Sequence, residues 1–273
     1  MDFKKGFKIK PKEIRKNGII IFTDGTNEMM PNEKTCLAYG YKFQDGICRA
    51  FIPSAVTERK ESSRGVSQVG TNDISKSKNS QVIGESNQIT ESYNSLVSGE
   101  SNVVDSGVNN SVVVGKMGKA THTNEFCIGG GGEEAGLLQY SVIQVSGKTT
   151  TDAIVDLYIN GDDVIDKEIT LPINSITNYE VLLSGLVTGG EEGTPGDYIT
   201  YQYIGTVRTD NDGVMTNTIK FNNLLARSTA IPVTGISIGT SHIFRIRING
   251  QTNVNTSWHA VVKLHINKTT VEI

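Results

Sequence analysis

The side chains able to do acid–base or metal chemistry in this 273-residue chain are few and scattered. The four histidines are His122, His242, His259 and His265. His259 and His265 share one face of an alternating run, but six extended residues hold them about 20 Å apart, too far for one metal ion. Three acidic doublets, Glu133-Glu134, Asp162-Asp163 and Glu191-Glu192, stand beside glycines in expected loops. Glycoside hydrolysis needs two carboxylates about 5–10 Å apart across a cleft, whereas loop neighbours of this kind are solvated tips. Gly129–Gly132 lacks the Lys-Ser/Thr that completes a phosphate loop, and no His-Glu-x-x-His is present. Trp258, the sole tryptophan, could stack on a sugar, but its phase with Ala260 and Val262 marks it as core. These residues predict no catalytic centre, no metal, no cofactor and a protein that is not an enzyme.

The cysteines Cys36, Cys48 and Cys127 are odd in number and sparse, which is not a disulfide framework. Eleven residues between Cys36 and Cys48 also exclude CxxC chemistry. Two buried thiols on a hairpin, in a fold assembled in a reducing cytoplasm, are expected. The first sixteen residues carry seven bases against Asp2 and Glu13. That run reads equally as a docking arm for an acidic partner or as a solvated end. Ile19–Phe22 is too short for a signal-peptide core or a membrane span.

Composition describes the elements that must position these groups. The apolar fraction of 37% counts tyrosine and omits glycine; exchanging 9 Tyr for 29 Gly gives about 44%, enough for a core. A net charge of −3 argues against a nucleic-acid binder. The excess lies in Asn, Ser, Thr and Gly, the residues of turns and short strands.

Three segments follow. Residues 1–60 form a small N-terminal unit, with a tight turn at Asp24-Gly25 and a hairpin over Cys36–Phe51 around Asp45-Gly46. Residues 61–132 repeat: Asn79-Ser-Gln-Val-Ile-Gly84, Asn94-Ser-Leu-Val-Ser-Gly99, Asn110-Ser-Val-Val-Val-Gly115 and Asn124-Glu-Phe-Cys-Ile-Gly129. A weaker first copy ends at Gly70, and a second short apolar piece follows each glycine. Two short strands and two turns per coil are the grammar of a β-solenoid or β-roll. Val82, Val97, Val113 and Cys127 point inward, a thin core that predicts burial of a further face against copies of the chain, as a parallel homotrimer. In such a trimer a His-x-His could gather metal on the axis, but none occurs. After Gly129–Gly132, read as a linker or hinge, residues 133–273 alternate densely. Hairpins are expected at Asn160-Gly161, at Asp210–Gly213 and at Asn249-Gly250. The pattern predicts an antiparallel β-sandwich of jelly-roll type.

The Asn-Ser-x-x-x-Gly repeat resembles the β-roll heads of trimeric autotransporter adhesins, which also occur as modules in bacteriophage tail fibres. Those heads prefer alanine where this chain has Val82, Val97, Val113 and Cys127. The third segment resembles a C-terminal domain of phage tail fibres through Gly147–Ala153, Leu157–Gly161, Ile169–Ser175, Tyr203–Arg208 and Trp258–Val262. Tyr179, the Gly189–Gly196 loop and Gly205/Arg208 match its pattern of strand, polar loop and turn. The Cys36–Phe51 piece is similar to N-terminal segments of tail fibres from phages of Bacteroidetes-like hosts.

These resemblances imply an all-β, elongated homotrimer: a virion-anchoring N-terminal unit, a left-handed β-roll shaft and a C-terminal sandwich at the fibre tip. The implied function is attachment of a bacteriophage to its host as a tail fibre or spike. The implied partners are tail or collar proteins through the N-terminus and a host surface glycan or protein, with no nucleic acid and no membrane insertion. The protein would be made in the host cytoplasm without a signal peptide and reach the virion tail, with release by lysis. Receptor contacts are expected at loop tips: Glu191, Glu192, Asp210, Asn211 and Asp212. The rival readings are a surface-polysaccharide depolymerase tailspike, a purely structural head or collar fibre, and a cell-encoded adhesin.

Overall fold

The computed structural model describes residues 9–15, 18–44, 46–50, 66–161, 168–228, 235–238 (backbone only) and 242–270. The chain divides into two compact units, Met1–Val56 and Thr57–Ile273. Almost every element is β, and no helix among the described residues is long and apolar enough to cross a membrane.

In the first unit, β1 (Lys10–Ile14), β2 (Ile20–Thr23) and β3 (Glu28–Met29) form an antiparallel sheet. The Asp24-Gly25 turn joins β2 to β3, and Asp24 Oδ1 accepts from the Thr26 and Asn27 amides at 2.8 Å each. The expected Cys36–Phe51 hairpin is only half present. Asn32 caps a short helix, α1 (Glu33–Ala38), by accepting from the Thr35 amide at 2.9 Å, and Cys36 lies on that helix. The hairpin itself is β4 (Lys42–Gln44) with β5 (Ile47–Arg49). Cys36 and Cys48 are not free thiols: they form a disulfide inside the small core of Ile20 and Phe22. A unit this small buries little apolar surface, and a covalent link supplies what the core lacks. The inference from cysteine count to a thiol-only fold therefore fails here.

In the second unit the repeat is a β-solenoid. One side stacks β6 (Ser67–Val69), β8 (Gln81–Glu85), β10 (Leu96–Glu100), β12 (Val112–Lys116) and β14 (Phe126–Gly130) in parallel register. The other stacks β7 (Asp73–Ser75), β9 (Gln88–Thr90), β11 (Val103–Val104) and β13 (Lys119–Ala120). Each letter of the motif has a physical task. Asn79, Asn94, Asn110 and Asn124 turn the corner at φ of 52–62°, a left-handed conformation that asparagine tolerates. Ser80, Ser95 and Ser111 are buried, and Ser80 and Ser95 each accept the amide of the serine one coil on. Val82, Val97, Val113 and Cys127 fill the interior as expected, all fully buried. The glycine lets adjacent coils touch: a Cβ on Gly99 would sit 1.9 Å from the Gly115 carbonyl oxygen. The opposite corner carries a second, buried ladder of Asn72, Asn87 and Asn102. Each donates its Nδ2 to the glycine carbonyl of the next coil at 2.9 Å.

Gly129–Gly132 is not a free linker. Gly129 and Gly130 lie in β14, which pairs antiparallel with β15 (Leu138–Thr149) from Phe126↔Val142 to Gly129↔Gln139. The C-terminal elements are β16 (Ile154–Asp156), a 3-10 turn (Ile159–Gly161), β17 (Ile169–Thr170), β18 (Ser175–Gly189), β19 (Tyr198–Thr209), β20 (Met215–Arg227), β21 (Gly235–Ile238), β22 (Ile243–Asn249) and β23 (Asn255–Lys268). One ten-stranded sheet runs in the order β20-β19-β18-β23-β15-β14-β12-β10-β8-β6, through the domain and into the roll. A smaller sheet, β16-β22-β17 with β21 on β22, shares its core: Phe244, Ile246 and Ile248 meet Val181, Leu183, Trp258 and Val262.

Among the described residues, the expected hairpin at Asp210–Gly213 pairs its strands, β19 with β20, and the other two do not. β22 lies between β16 and β17, and β22 and β23 belong to different sheets. Both strands around Asn249-Gly250 are apolar on one face, and crossing between sheets lets those faces bury against each other.

Candidate functional site

The receptor-contact residues expected from the sequence are not gathered in one place. Glu191 and Glu192 are exposed in the β18–β19 loop, and the Glu192 amide donates to the Asn253 carbonyl at 3.1 Å. Asp210, Asn211 and Asp212 sit at the other end of the same two strands. β18 and β19 pair from Ser175↔Thr209 to Leu186↔Tyr198, which puts the two loops about 40 Å apart. Asp210 is engaged by its own turn, with Oδ1 accepting from the Asp212 and Val214 amides at 3.0 and 2.8 Å. Asn211 Oδ1 accepts from Asn174 Nδ2 at 3.2 Å. Asp162 and Asp163 lie outside the described residues.

The chemically dense part of the unit is the junction of roll and domain. The last coil breaks the serine ladder: Glu125 replaces serine in the motif and His122 takes the place of Ser77 and Ser92 one corner earlier. Both are buried. Glu125 accepts from the amides of Thr121 (2.8 Å) and His122 (3.0 Å), from Ser141 Oγ (2.6 Å) and from His122 Nδ1 (3.3 Å). Burial alone would raise its pKa, but these donors outweigh that and hold the carboxyl below its ordinary range. The Thr170 amide donates to His122 Nε2 at 3.0 Å, which fixes the proton on Nδ1, towards Glu125. Glu125 Oε1 and His122 Nε2 seal the roll against β15 and β17, while Glu125 Oε2 and His122 Nδ1 tie the last coil to itself. A cavity of about 420 Å³ lies beside it, lined by Asp105, Lys119, Glu134, His242 and Lys268 among others. Asp105 and Lys119 pair at 3.1 Å, and His242 Nδ1 donates to the Leu171 carbonyl at 2.7 Å.

Another carboxylate pair was not legible in the sequence. Asp156 and Glu168 meet on Arg245, at 3.5 and 2.8 Å, while Arg247 grips Asp156 with two bonds of 2.8 and 3.0 Å. The sequence signal was the alternation of Arg245 and Arg247 on β22; their partners come from strands far away along the chain. Trp258 is core as expected, with Nε1 donating to Thr149 Oγ1 at 2.9 Å. His259 and His265 share the exposed face of β23. Gly235-Ile-Ser-Ile-Gly239 has the spacing of a nucleophile elbow, but Gly235–Ile238 is a strand paired with β22, not a strand-to-helix turn. Among the described residues no three His, Cys, Asp or Glu side chains cluster as a metal site.

The outward face of the ten-stranded sheet carries partly exposed apolar side chains among the described residues. Its register lines up Leu96, Val112, Phe126 and Val142, then Lys263 and Glu180, then Ile204 and Phe221. A second row carries Ile83, Ser98, Val114, Ile128 and Tyr140. Phe126 and Ile128 are each 40% exposed and Phe221 is 49% exposed. The Lys263–Glu180 ion pair, at 3.0 Å, interrupts the first of these rows, and the second continues into His265 and Asn178.

No family model and no curated protein matches the chain. Solved structures similar to it include three phage tailspikes. That of Acinetobacter phage vB_ApiP_P1 is 9% identical with a TM-score of 0.28, the match covering 76% of this chain and 49% of that one. Tailspike gp49 of Acinetobacter baumannii bacteriophage Fri1, described as a capsular polysaccharide depolymerase, is 8% identical with a TM-score of 0.26, covering 73% and 44%. The tailspike of A. baumannii phage AM24 is 4% identical with a TM-score of 0.27, covering 73% and 50%. The chain thus spans about half the length of these tailspikes, and likenesses of this size assign no residue here a role. The expectation that the chain is not an enzyme is withdrawn, because one of these neighbours is described as a depolymerase.

Proposed function

We propose that the chain is a subunit of a bacteriophage tail spike or fibre that attaches to a polysaccharide on the bacterial surface. In this reading it is a homotrimer. Residues 1–60 anchor it to other tail proteins, residues 61–132 form the shaft, and residues 133–273 form a β-sandwich tip that meets the host. The observation that carries the reading is the outward face of the ten-stranded sheet, where apolar side chains continue from the roll into the domain. Exposed apolar rows of this extent mark an association surface. Three copies packed on that face would bury what a coil with two or three inward apolar side chains leaves in water. Three tips on one axis would also turn weak glycan contacts into avidity.

Sedimentation of the intact chain tests the assembly: the expected mass is three times 29.6 kDa, and a single-chain mass overturns it. Phe126→Asp places a charge on that face while leaving the inward Cys127 untouched, and is expected to yield folded monomer. Attachment is tested by incubating the protein with susceptible cells and with their purified surface polysaccharide. Adsorption is expected, and released oligosaccharide would add hydrolysis to it. No adsorption to any susceptible strain removes the attachment role.

A further inference from the structure

Beyond the last residue paired with β14, the edge of β15 is covered by the segment that leads into the 3-10 turn. Ser146 and Tyr158 exchange backbone hydrogen bonds of 2.9 and 3.1 Å. A cavity of about 700 Å³ opens beside this crossing, within the range of small-ligand pockets. Its wall combines three kinds of group. Ser146, Ser257 and Asn160 bring hydroxyl and amide functions, Tyr158 and Ile154 bring an aromatic and an aliphatic surface, and Lys148 brings an ammonium. Ile154 is 61% exposed, which leaves apolar surface uncovered at the rim.

Among the described residues, the charge balance of this wall points to a ligand class. Asp156 is the acid among the lining residues, and both its oxygens are taken by Arg247 at 2.8 and 3.0 Å. Lys148 is exposed and forms no ion pair with any described residue. Neutral hydrogen-bonding groups, a ring surface and one cation without an acidic partner among the described residues are the recognition chemistry of a sugar that bears a carboxylate.

We infer that this cavity binds a hexuronic acid unit of an acidic polysaccharide. Lys148 holds the carboxylate, Ser146, Ser257 and Asn160 meet the hydroxyls, and Tyr158 lies against the ring. The inference rests on the attachment reading above and supplies its ligand class.

Titration of the full chain with a tetrasaccharide alternating glucuronic acid and glucose, and with its carboxyl-reduced form, tests it. The acidic form is expected to bind at least tenfold more tightly than the reduced form. Lys148→Ala, at an exposed position, should lower acidic-form affinity about tenfold, leave reduced-form affinity unchanged, and be rescued by Lys148→Arg. Ser257→Tyr, which fills the cavity, should abolish both. Failure of the acidic form to bind, equal binding of the two forms, or indifference to Lys148→Ala overturns the inference. Adsorption to host cells is measured in parallel. Uronate binding without adsorption sinks the attachment reading and leaves the cavity assignment standing. Adsorption without uronate binding does the reverse.

Discussion

Replacing Asn87 with alanine removes the middle of the buried ladder. Its Nδ2 donates to Asn72 Oδ1 at 2.8 Å and to the Gly99 carbonyl at 2.9 Å, and its Oδ1 accepts from the Asn102 amide and Nδ2, both at 3.0 Å. Two of these partners have substitutes after truncation. Asn72 Oδ1 keeps the Asn87 amide at 3.0 Å, and Asn102 Nδ2 keeps the Gly115 carbonyl at 2.9 Å. The Gly99 carbonyl loses one bond but keeps the Glu85 amide in the β8–β10 ladder, and the Asn102 amide is left without an acceptor. At about 1.5 kcal/mol for the stranded amide and about 1 kcal/mol for the lost bond to Gly99, the variant should lose about 2.5 kcal/mol. The comparison is Asn94→Ala, in the exposed ladder, where two bonds of 3.1 and 3.4 Å and a left-handed φ of 56° are at stake. That change should cost about 1 kcal/mol, and Asn94→Gly less, because glycine relieves the strain. Hydrogen exchange at the Asn102 amide is the direct assay: Asn87→Ala should speed it on the order of 100-fold. Acceleration below tenfold, or equal effects of Asn87→Ala and Asn94→Ala, would show that the buried ladder does not hold the coils together.

Three further outcomes are expected. Gly99→Ala puts a Cβ 1.9 Å from the Gly115 oxygen at a φ of +128°, so the roll should fail to form; a soluble variant with an unchanged melting temperature refutes this. Cys36→Ser opens a cross-link spanning 12 residues and should weaken the first unit by about 2–3 kcal/mol. Limited proteolysis should then resemble that of the reduced native chain, and identical digestion with and without reductant counts against it. Glu125 has a folded pKa below its ordinary range, so its stabilisation is present above about pH 4.3 and is lost as pH falls through the lower folded value. Glu125→Gln should therefore be less stable at pH 7 and show a flatter decline in urea midpoint below pH 4; an unchanged acid slope contradicts the assignment.

The roll was legible because each position of its motif does one job. Asparagine turns the corner, serine bonds the next serine, valine points inward, and glycine admits the neighbouring coil. Such tasks recur every 14–16 residues and leave a trace in sequence. Alternation likewise gave the inward sets of β22 and β23 correctly, from Phe244 to Ile248 and from Trp258 to Ile266. Which sheet each strand joins was not legible, because alternation fixes a face and not a neighbour. The Asn160-Gly161 and Asn249-Gly250 signals mark turns without saying whether the chain returns to its own partner. Cys36–Cys48 was missed because counting cysteines ignores how little core a small unit has. The Asp156–Arg245–Glu168 group was invisible for a related reason: β22 brings together residues more than 75 positions apart, and no local pattern records that.

The uninterrupted sheet also has a mechanical meaning. In the roll, backbone hydrogen bonds between coils run along the stacking axis, and the asparagine and serine ladders run the same way. A pull along that axis loads backbone and side-chain bonds together at every rung. At the end of the roll the load does not reach a loose tether, because β14 passes it to β15 through paired backbone, and Glu125 and His122 add side-chain bonds across the same seam. Tension or torque arriving at residues 133–273 is therefore delivered to the coils with little slack, and the first rungs to yield should be those furthest from that seam, where β6 closes the sheet with only three paired residues.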